Sequence, residues 1–325
     1  MTSHWIGHDA NWAQFSLGLH AGKLHHGWIL AGPRGIGKAG FAARAAAALV
    51  DPDGRHSRLI EQRSHPDILW VQRLVKEPPK EGEDPDPDAE LSRSIKVDQI
   101  RDLRRALTTL PSMGLKRAVI IDSPDDFEAA GGGANALLKS LEEPPIGTYF
   151  LLVSHASDRL LPTIRSRCQT LRFEPLDDDG MQNVLNRLVP EISANERAFL
   201  VNAAGGSPGK ALEFAGLDLG EIEAAMDTLL TKGDASNAIR HSLAEKLSLK
   251  AAQPRYEAFL RRVPARIAAF ARTQPPASVM PAIEAFHAAE TLAARAIGIT
   301  LDKQAVVFQM GSLLASLQNP KSPVN

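Results

Sequence analysis

Short apolar runs alternate with helical patterns along the first half of the chain. Each run is almost continuously apolar, and the segments between the runs have apolar residues at helical spacing. Strands of this kind, separated by helices, are typical of a parallel sheet that is covered on both faces. The strand candidates are 26–31 (HGWILA), 66–75 (PDILWVQRLV), 116–122 (KRAVIID) and 148–154 (TYFLLVS), and the helix candidates are 38–50, 97–111 and 135–143.

The pattern changes near residue 174. From Phe173-Glu174-Pro175 onward only helical periodicities recur, so the sequence predicts an α/β domain over 1–174 followed by all-helical material. Within the α/β part, the segment 77–90 is acidic and rich in proline, which predicts an exposed loop but not its purpose. Three arginines near residue 264 are interpreted as a solvated helix face, because a nucleic-acid patch is less expected in a near-neutral chain; they are Arg261, Arg262 and Arg266.

A glycine-rich turn follows the first strand candidate. It reads Gly32-Pro33-Arg34-Gly35-Ile36-Gly37-Lys38, and an alanine-rich helix comes directly after it. Strand, glycine loop and helix in this order are typical of a phosphate-binding loop, in which backbone N–H groups and the lysine hold the phosphates. The next residue is normally Ser or Thr, whose hydroxyl coordinates Mg²⁺, and here it is Ala39. The sequence therefore predicts a loop that can bind phosphate but is impaired in hydrolysis.

A second motif has two interpretations. The apolar strand 118–121 ends at Asp122, and a carboxylate there would support the metal in a phosphate-loop enzyme. The same letters, Asp122-Ser123-Pro124-Asp125, are also typical of a strand that ends in a turn. Both interpretations stay open at the level of the sequence.

Charge and cysteine content narrow the functional classes. The 325 residues carry a net charge of -1, so contact with DNA is expected to be local or shared with partners. The single cysteine, Cys168, allows neither an internal disulfide nor a cysteine-based zinc cluster. His56 and His65 alone do not make a tetrahedral site, and no metal or zinc is predicted. The absence of a signal-like or membrane-spanning stretch predicts a soluble, cytoplasmic protein.

A set of motifs carries a resemblance to a known family. ANALLKSLEEPP (134–145) and TIRSRC (163–168) resemble the clamp-loader branch of the AAA+ ATPases. With HHGWILAGPRGIGK, HPDI, VDQIR and GGSPGKAL, the set resembles the delta-prime family of bacterial DNA polymerase III subunits, in the family's order from about residue 19 to 214. The resemblance implies an AAA+ α/β P-loop domain with a parallel sheet, a small helical lid over 175–214 and an all-helical collar over 215–325 that holds an oligomer together.

The resemblance also implies partners and an arginine finger. Clamp loaders are rings of five subunits, and this chain would join the gamma/tau ATPases and delta in a heteropentamer that loads the sliding clamp onto primed DNA. The family's finger is the middle residue of the motif Ser166-Arg167-Cys168, and it reaches into a neighbour's ATP site. An exposed arginine in an intramolecular ion pair is the alternative for Arg167. Cys168 is expected to be a packed residue and not a nucleophile.

Three departures from the family pattern all affect hydrolysis. Active relatives have Ser or Thr at Ala39, a water-orienting Glu at Ser123 and a lid arginine at Gly209. Lys210 is the one candidate substitute for that arginine. The resemblance implies that the chain is a component of the DNA polymerase III holoenzyme (a nucleotidyltransferase complex), and these departures imply that it is itself neither a polymerase nor an active ATPase. No cofactor is required, and whether ATP or ADP is held without hydrolysis stays open.

Three other functions agree less well with these residues. An ATP-hydrolysing motor subunit of the same loader would need the three missing side chains. A stand-alone P-loop enzyme, such as a small-molecule kinase, would also need a hydroxyl at residue 39 and would not explain TIRSRC. A purely structural assembly protein would have the same features, except that it would not need Arg167.

Overall fold

The computed structural model describes residues 7–76, 91–128, 132–276, 279–298 and 301–318, so the acidic segment 77–90 lies outside the described residues. The chain forms two compact units, which are considered separately. The first contains Met1–Glu191 with Arg197–Ala211, and the second contains Ile192–Glu196 with Leu212–Asn325. The division into three segments at 174 and 214 stays a prediction.

A five-stranded parallel sheet forms the centre of the first unit. The strand order is β2-β3-β4-β1-β5, and every neighbouring pair runs parallel. The four strands predicted from apolar runs are confirmed, and the fifth follows the TIRSRC motif. Their bounds are β1 Gly27–Ala31, β2 Ile68–Gln72, β3 Arg117–Asp122, β4 Thr148–Ser154 and β5 Gln169–Arg172.

Helices cover this sheet and make up the second unit. In the first part of the chain they are α1 Asp9–His20, α2 Lys38–Val50, α3 Ser57–Glu61, α4 Val97–Ala106, α5 Gly132–Glu142 and α6 Pro162–Arg165. The later helices are α7 Asp178–Leu188, α8 Ala194–Ala204, α9 Pro208–Phe214, α10 Gly220–Lys232, α11 Ala238–Ser248, α12 Gln253–Thr273, α13 Val279–Gly298 and α14 Lys303–Ser316. The predicted fold class, an α/β domain with a parallel sheet followed by helices, is confirmed.

Alternation along the strands divides the core into two layers. Trp28 and Leu30 of β1 point to one face, where Phe41 of α2 belongs to the same cluster. Ile29 of β1 points to the other face, where Leu137 of α5 belongs to the second cluster. Successive strand side chains point to opposite faces, so a nearly all-apolar strand fits only between two covering layers. The two clusters hold the sheet between its covering layers, and the sheet in turn positions the loops at the ends of its strands.

A buried ionic network shapes the loop between α4 and β3. Asp67 and Arg117 are both buried, with 3.8 Å between the Asp67 carboxylate and the guanidinium. The carboxylate also accepts hydrogen bonds from the backbone N–H groups of Ser112 (2.6 Å) and Met113 (2.7 Å). The guanidinium donates to three carbonyls of the same loop, those of Ala106, Thr109 and Leu110. The loop is therefore held by charge-assisted hydrogen bonds in place of a packed apolar core.

The described part of the second unit is helical, and one expectation about it is wrong. Arg262 is buried and not solvated, because it pairs with Glu223 at 2.6 Å. Arg261 lies 3.6 Å from Glu213. Arg266 pairs with Asp227, so all three arginines have acidic partners. None of the helices that the structure describes is long and apolar enough to cross a membrane.

Candidate functional site

The phosphate-loop sequence adopts the conformation that a phosphate loop requires. β1 ends at Ala31, and α2 begins at Lys38. Gly35 and Gly37 have φ values of 81° and 96°, which residues other than glycine rarely adopt. The loop therefore leads into the amino terminus of α2, where free N–H groups and the helix dipole favour an anion.

Lys38 is turned toward the loop itself. Its ammonium donates to the carbonyls of Gly32 (2.6 Å) and Pro33 (2.5 Å), and the residue is only 2% exposed. Burial lowers the pKa of Lys38 to about 8, although Asp122 and Asp125 oppose the shift. In this arrangement the lysine is hydrogen-bonded to carbonyls of its own loop. A bound phosphate would have to replace these carbonyls as its partner.

The loop and the Asp122 carboxylate at the end of β3 face one cavity of about 430 Å³. Burial raises the pKa of Asp122 against the opposing effect of Lys38, so the two groups share a poorly solvated space. The side chain of Ala39 brings only a methyl group into it, and a phosphate would meet no hydroxyl there to hold its magnesium. The lining residues are Arg34, Gly35, Gly37, Lys38, Ala39, Gln72, Arg73, Leu91, Asp122, Asp126, Val153 and His155.

Ser123, the residue after Asp122, is not among the described residues that line this cavity. Ser123 is buried, and its hydroxyl has no hydrogen-bond partner among the described residues. Asp125, the last residue of the predicted turn motif, instead connects two strands. Its carboxylate accepts hydrogen bonds from the Ser154 hydroxyl (2.9 Å) and the His155 N–H (2.6 Å). The ends of β3 and β4 are thus joined by a structural aspartate, and Ser154 is engaged by it.

His155 is a neutral group at the cavity wall. Burial lowers its pKa to about 4, with further lowering by the positive charges of Lys38 and Arg34. Its Nε2 lies 3.9 Å from the Asp122 carboxylate. At neutral pH this imidazole therefore carries no positive charge that could act on a phosphate.

The glycine at the lid-arginine position has a steric reason. The Gly209 N–H donates to the Gly35 carbonyl at 2.8 Å, and the Ser207 hydroxyl donates to the Arg34 carbonyl at 3.0 Å. A Cβ atom added at Gly209 would lie 2.8 Å from the Cα of Gly35, closer than Cβ atoms come to backbone. The backbone occupies the space that an arginine side chain would need. Lys210 is exposed and is not among the described residues that line the cavity.

Replacing Gly209 by alanine is expected to destabilise the first unit by about 1–3 kcal/mol, because neither backbone can yield easily to the added methyl group. The measurement is urea unfolding followed by tryptophan fluorescence, since Trp12, Trp28 and Trp70 lie in that unit. Gly114→Ala is the matched control, because its Cβ would meet only one atom, at an ordinary 3.8 Å. Equal unfolding midpoints for the two variants would show that the close approach is not real.

Arg167 lies at the edge of the sheet opposite the phosphate loop. A Cβ added at Gly27, the first residue of β1, would lie 3.2 Å from the Arg167 carbonyl, whereas the phosphate loop follows the last residue of β1. The guanidinium pairs with Glu142 at 2.7 Å and donates to the Thr163 carbonyl at 2.9 Å. The intramolecular ion pair that the sequence left as an alternative therefore exists, while one third of the arginine side chain remains exposed.

Comparison with known proteins identifies the family. The family model described as DNA polymerase III, delta subunit, matches residues 7–177, which is more than half of the chain. The chain belongs to the DNA polymerase III delta subunit family. A DNA polymerase III subunit delta' from Pseudomonas aeruginosa is 34% identical over 209 residues, 62% of this chain and 58% of the relative. The corresponding subunit of Bacillus subtilis is 31% identical over 188 residues, 55% of this chain and 51% of the relative.

The resemblance to delta-prime subunits read from the motifs is thereby confirmed. The chain matches little more than half the length of these two relatives. Among solved structures, a DNA polymerase III gamma subunit-related protein from Thermotoga maritima aligns with 94% of this chain and 99% of its own. Its TM-score is 0.43 at 16% identity, a likeness that carries no argument about function.

Two further sites of this delta subunit family member concern Cys168 and a histidine pair. Burial raises the pKa of the Cys168 thiol to about 12, so it is protonated at neutral pH, which agrees with a packed residue. The rings of His56 and His65 lie 5.7 Å apart, with Asp51 3.4 Å from His56. Among the described residues no group of three or more His, Cys, Asp or Glu side chains is arranged to hold a metal. The expected absence of zinc stays a prediction.

Proposed function

We propose that the chain is a clamp-loader subunit of DNA polymerase III that does not hydrolyse ATP. In this role it donates Arg167 to the ATP site of a neighbouring subunit while the sliding clamp is loaded onto primed DNA. The proposal combines the family membership, the resemblance to clamp loaders and the geometry of the first unit. A cytoplasmic location follows from a role in replication and is part of the proposal.

The position of Arg167 is the observation that carries this proposal. The arginine precedes β5 at the amino-terminal edge of the sheet, and the phosphate loop follows β1 at the carboxyl-terminal edge. The five residues of β1 separate the two by about 13 Å or more, at roughly 3.3 Å per residue. An arginine at this position is out of reach of its own phosphate loop, which supports a role at a nucleotide bound by another subunit.

The chain's own phosphate loop supports the second half of the proposal. Ala39 offers magnesium no ligand, and Ser123 cannot orient a water for attack. Gly209 meets the loop through its backbone and brings no charge to a γ-phosphate. The N–H groups of the loop could still hold a phosphate, and Lys38 could join them on leaving the Gly32 and Pro33 carbonyls, so nucleotide binding without turnover is compatible with these residues.

The partners of this proposal are subunits and DNA. The gamma/tau ATPases and delta would complete a heteropentamer, and the helical second unit would contribute to its collar. The net charge of -1 agrees with contacts to primed DNA that are shared among subunits. Contacts to the sliding clamp are proposed only through the whole complex.

The isolated chain is expected to release no phosphate from Mg·ATP above background, because three catalytic parts are missing at once. The measurement is steady-state phosphate release, together with titration of a fluorescent ATP analogue. Ala39→Thr is expected to leave turnover at background, since one hydroxyl does not replace the other two parts.

Lys38→Ala controls for contaminating ATPases, because turnover that survives this change does not come from the phosphate loop. Robust turnover by the unmodified chain that Lys38→Ala abolishes would contradict the non-hydrolysing role. It would then favour a motor subunit with catalytic groups other than those named here.

A further inference from the structure

We infer that Glu142 is the residue that positions the arginine finger. This inference rests on the proposed function of Arg167 and adds a second residue to the same site. Glu142 is the first glutamate of LEEPP, and Arg167 is the arginine of TIRSRC. Two of the sequence motifs that carry the family resemblance are therefore joined by this ion pair.

The contacts fix the guanidinium at both of its terminal nitrogens. Nη2 pairs with the Glu142 carboxylate at 2.7 Å. Nη1 donates to the Thr163 carbonyl at 2.9 Å and to the Ser166 hydroxyl at 3.2 Å. A long arginine side chain otherwise samples many rotamers, and fixing it before a ligand arrives removes that entropic cost from the reaction. These contacts use three of the five N–H donors, which leaves one N–H of Nη2 and the Nε–H for a phosphate.

The location of Glu142 is unfavourable for its own helix. It is the last residue of α5, where the negative end of the helix dipole favours Lys, Arg or His and disfavours a carboxylate. A second carboxylate, Glu143, follows directly and adds to the repulsion. Local helix stability therefore does not explain a glutamate at 142, whereas the pairing with Arg167 does.

The exposure of the pair suits a positioning role. Roughly half of the Glu142 side chain and one third of the Arg167 side chain remain accessible. Exposed pairs of this kind are weak. The guanidinium can therefore be oriented by Glu142 and still exchange part of its contacts for a γ-phosphate. A deeply buried pair would hold the arginine too strongly to be donated.

The neighbouring arginine shows that this arrangement is specific. Arg165, two residues earlier, lies 3.7 Å from Asp158, whose side chain is almost fully exposed. That pair joins Arg165 of α6 to the turn just before it and includes no residue of α5. Arg167 is bound across two elements, α5 and α6, and its position follows from the fold and not from a local turn.

The test uses the complex reconstituted with its gamma/tau and delta subunits, the sliding clamp and primed DNA. Glu142→Gln keeps the shape of the side chain and removes its charge. We expect about a tenfold lower kcat at the neighbouring ATP site, with an unchanged fraction of assembled complex. Glu143→Gln is the matched control, because this exposed carboxylate has no ion pair among the described contacts, and its kcat should stay at the wild-type level.

The double variant Glu142→Gln/Arg167→Ala separates positioning from other roles. If Glu142 acts only through the finger, the double variant is as slow as Arg167→Ala alone. Additive losses, or a kcat for Glu142→Gln that is unchanged or raised while Arg167→Ala is slow, would overturn the inference and leave the proposed function standing. A normal rate for Arg167→Ala would overturn the finger itself, and the positioning role with it.

Discussion

Replacing Arg167 by alanine is expected to lower ATP turnover at the neighbouring site by about a thousandfold or more, since arginine fingers contribute 10³–10⁵ in kcat. In the proposed role the guanidinium would offset charge that develops on the γ-phosphate only in the transition state, so kcat should fall far more than nucleotide affinity. Because the proposed ring would contain several ATPases, the lysines of the other phosphate loops are substituted first. The measurement is then steady-state phosphate release from the one remaining site.

Two variants make this result specific to the finger. Arg165→Ala removes an arginine of the same motif whose ion pair with Asp158 is exposed, and it should leave turnover unchanged. Arg167→Lys keeps the charge but loses the planar fork, and most of the loss should persist. Wild-type rates for Arg167→Ala in a fully assembled complex would reduce Arg167 to a surface residue and leave only a structural assembly role.

The second large effect is expected at the buried network of the first unit. Asp67→Ala should destabilise that unit by about 3–5 kcal/mol, because it leaves the Arg117 guanidinium buried without its counter-charge. The backbone N–H groups of Ser112 and Met113 would lose their acceptor at the same time. Urea unfolding followed by tryptophan fluorescence reports this change, since Trp70 lies three residues from the substitution.

Graded controls accompany this measurement. Asp67→Asn keeps one acceptor oxygen and should be intermediate between wild type and Asp67→Ala. Asp98→Ala removes an exposed aspartate that pairs with Arg101, and it should change the free energy of unfolding by less than about 0.5 kcal/mol. If Asp67→Ala is no worse than Asp98→Ala, the buried pair does not organise the loop between α4 and β3.

The sequence predicted those parts of the fold whose signal is local. Four strands were found because each is a nearly unbroken apolar run between helical patterns. β5 was missed because only Leu171 of its four residues is buried, so this edge strand has no apolar run to detect. Arg262 was assigned to solvent because its partner Glu223 lies 39 residues away along the chain.

In the candidate site, too, the sequence predicts the residues with a local signal and not the contacts between distant segments. Gly35, Gly37, Lys38, Ala39 and Asp122 were predicted from spacing, and the structure brings them to one cavity. The close approach of Gly209 to Gly35 could not be predicted, because spacing in the sequence does not reveal which backbones touch. Glu142 was missed for a similar reason: its helix end lies beside TIRSRC only after the sheet has formed. The motif LEEPP contains Glu142, but nothing in its letters indicates that Arg167 is the partner.

The opposite edges of the sheet give this subunit a polarity. If the proposed function holds, arginine is delivered from the edge where the strands begin, and nucleotide is held at the edge where they end. Subunits joined in this way contact head to tail, through two different surfaces. A subunit that donates an arginine but does not hydrolyse ATP would be active on one side only. Its arginine would serve one neighbour, whereas an arginine donated by the other neighbour to its phosphate loop would assist no hydrolysis. Such a ring would contain one subunit interface without ATP hydrolysis, at the phosphate loop of this chain.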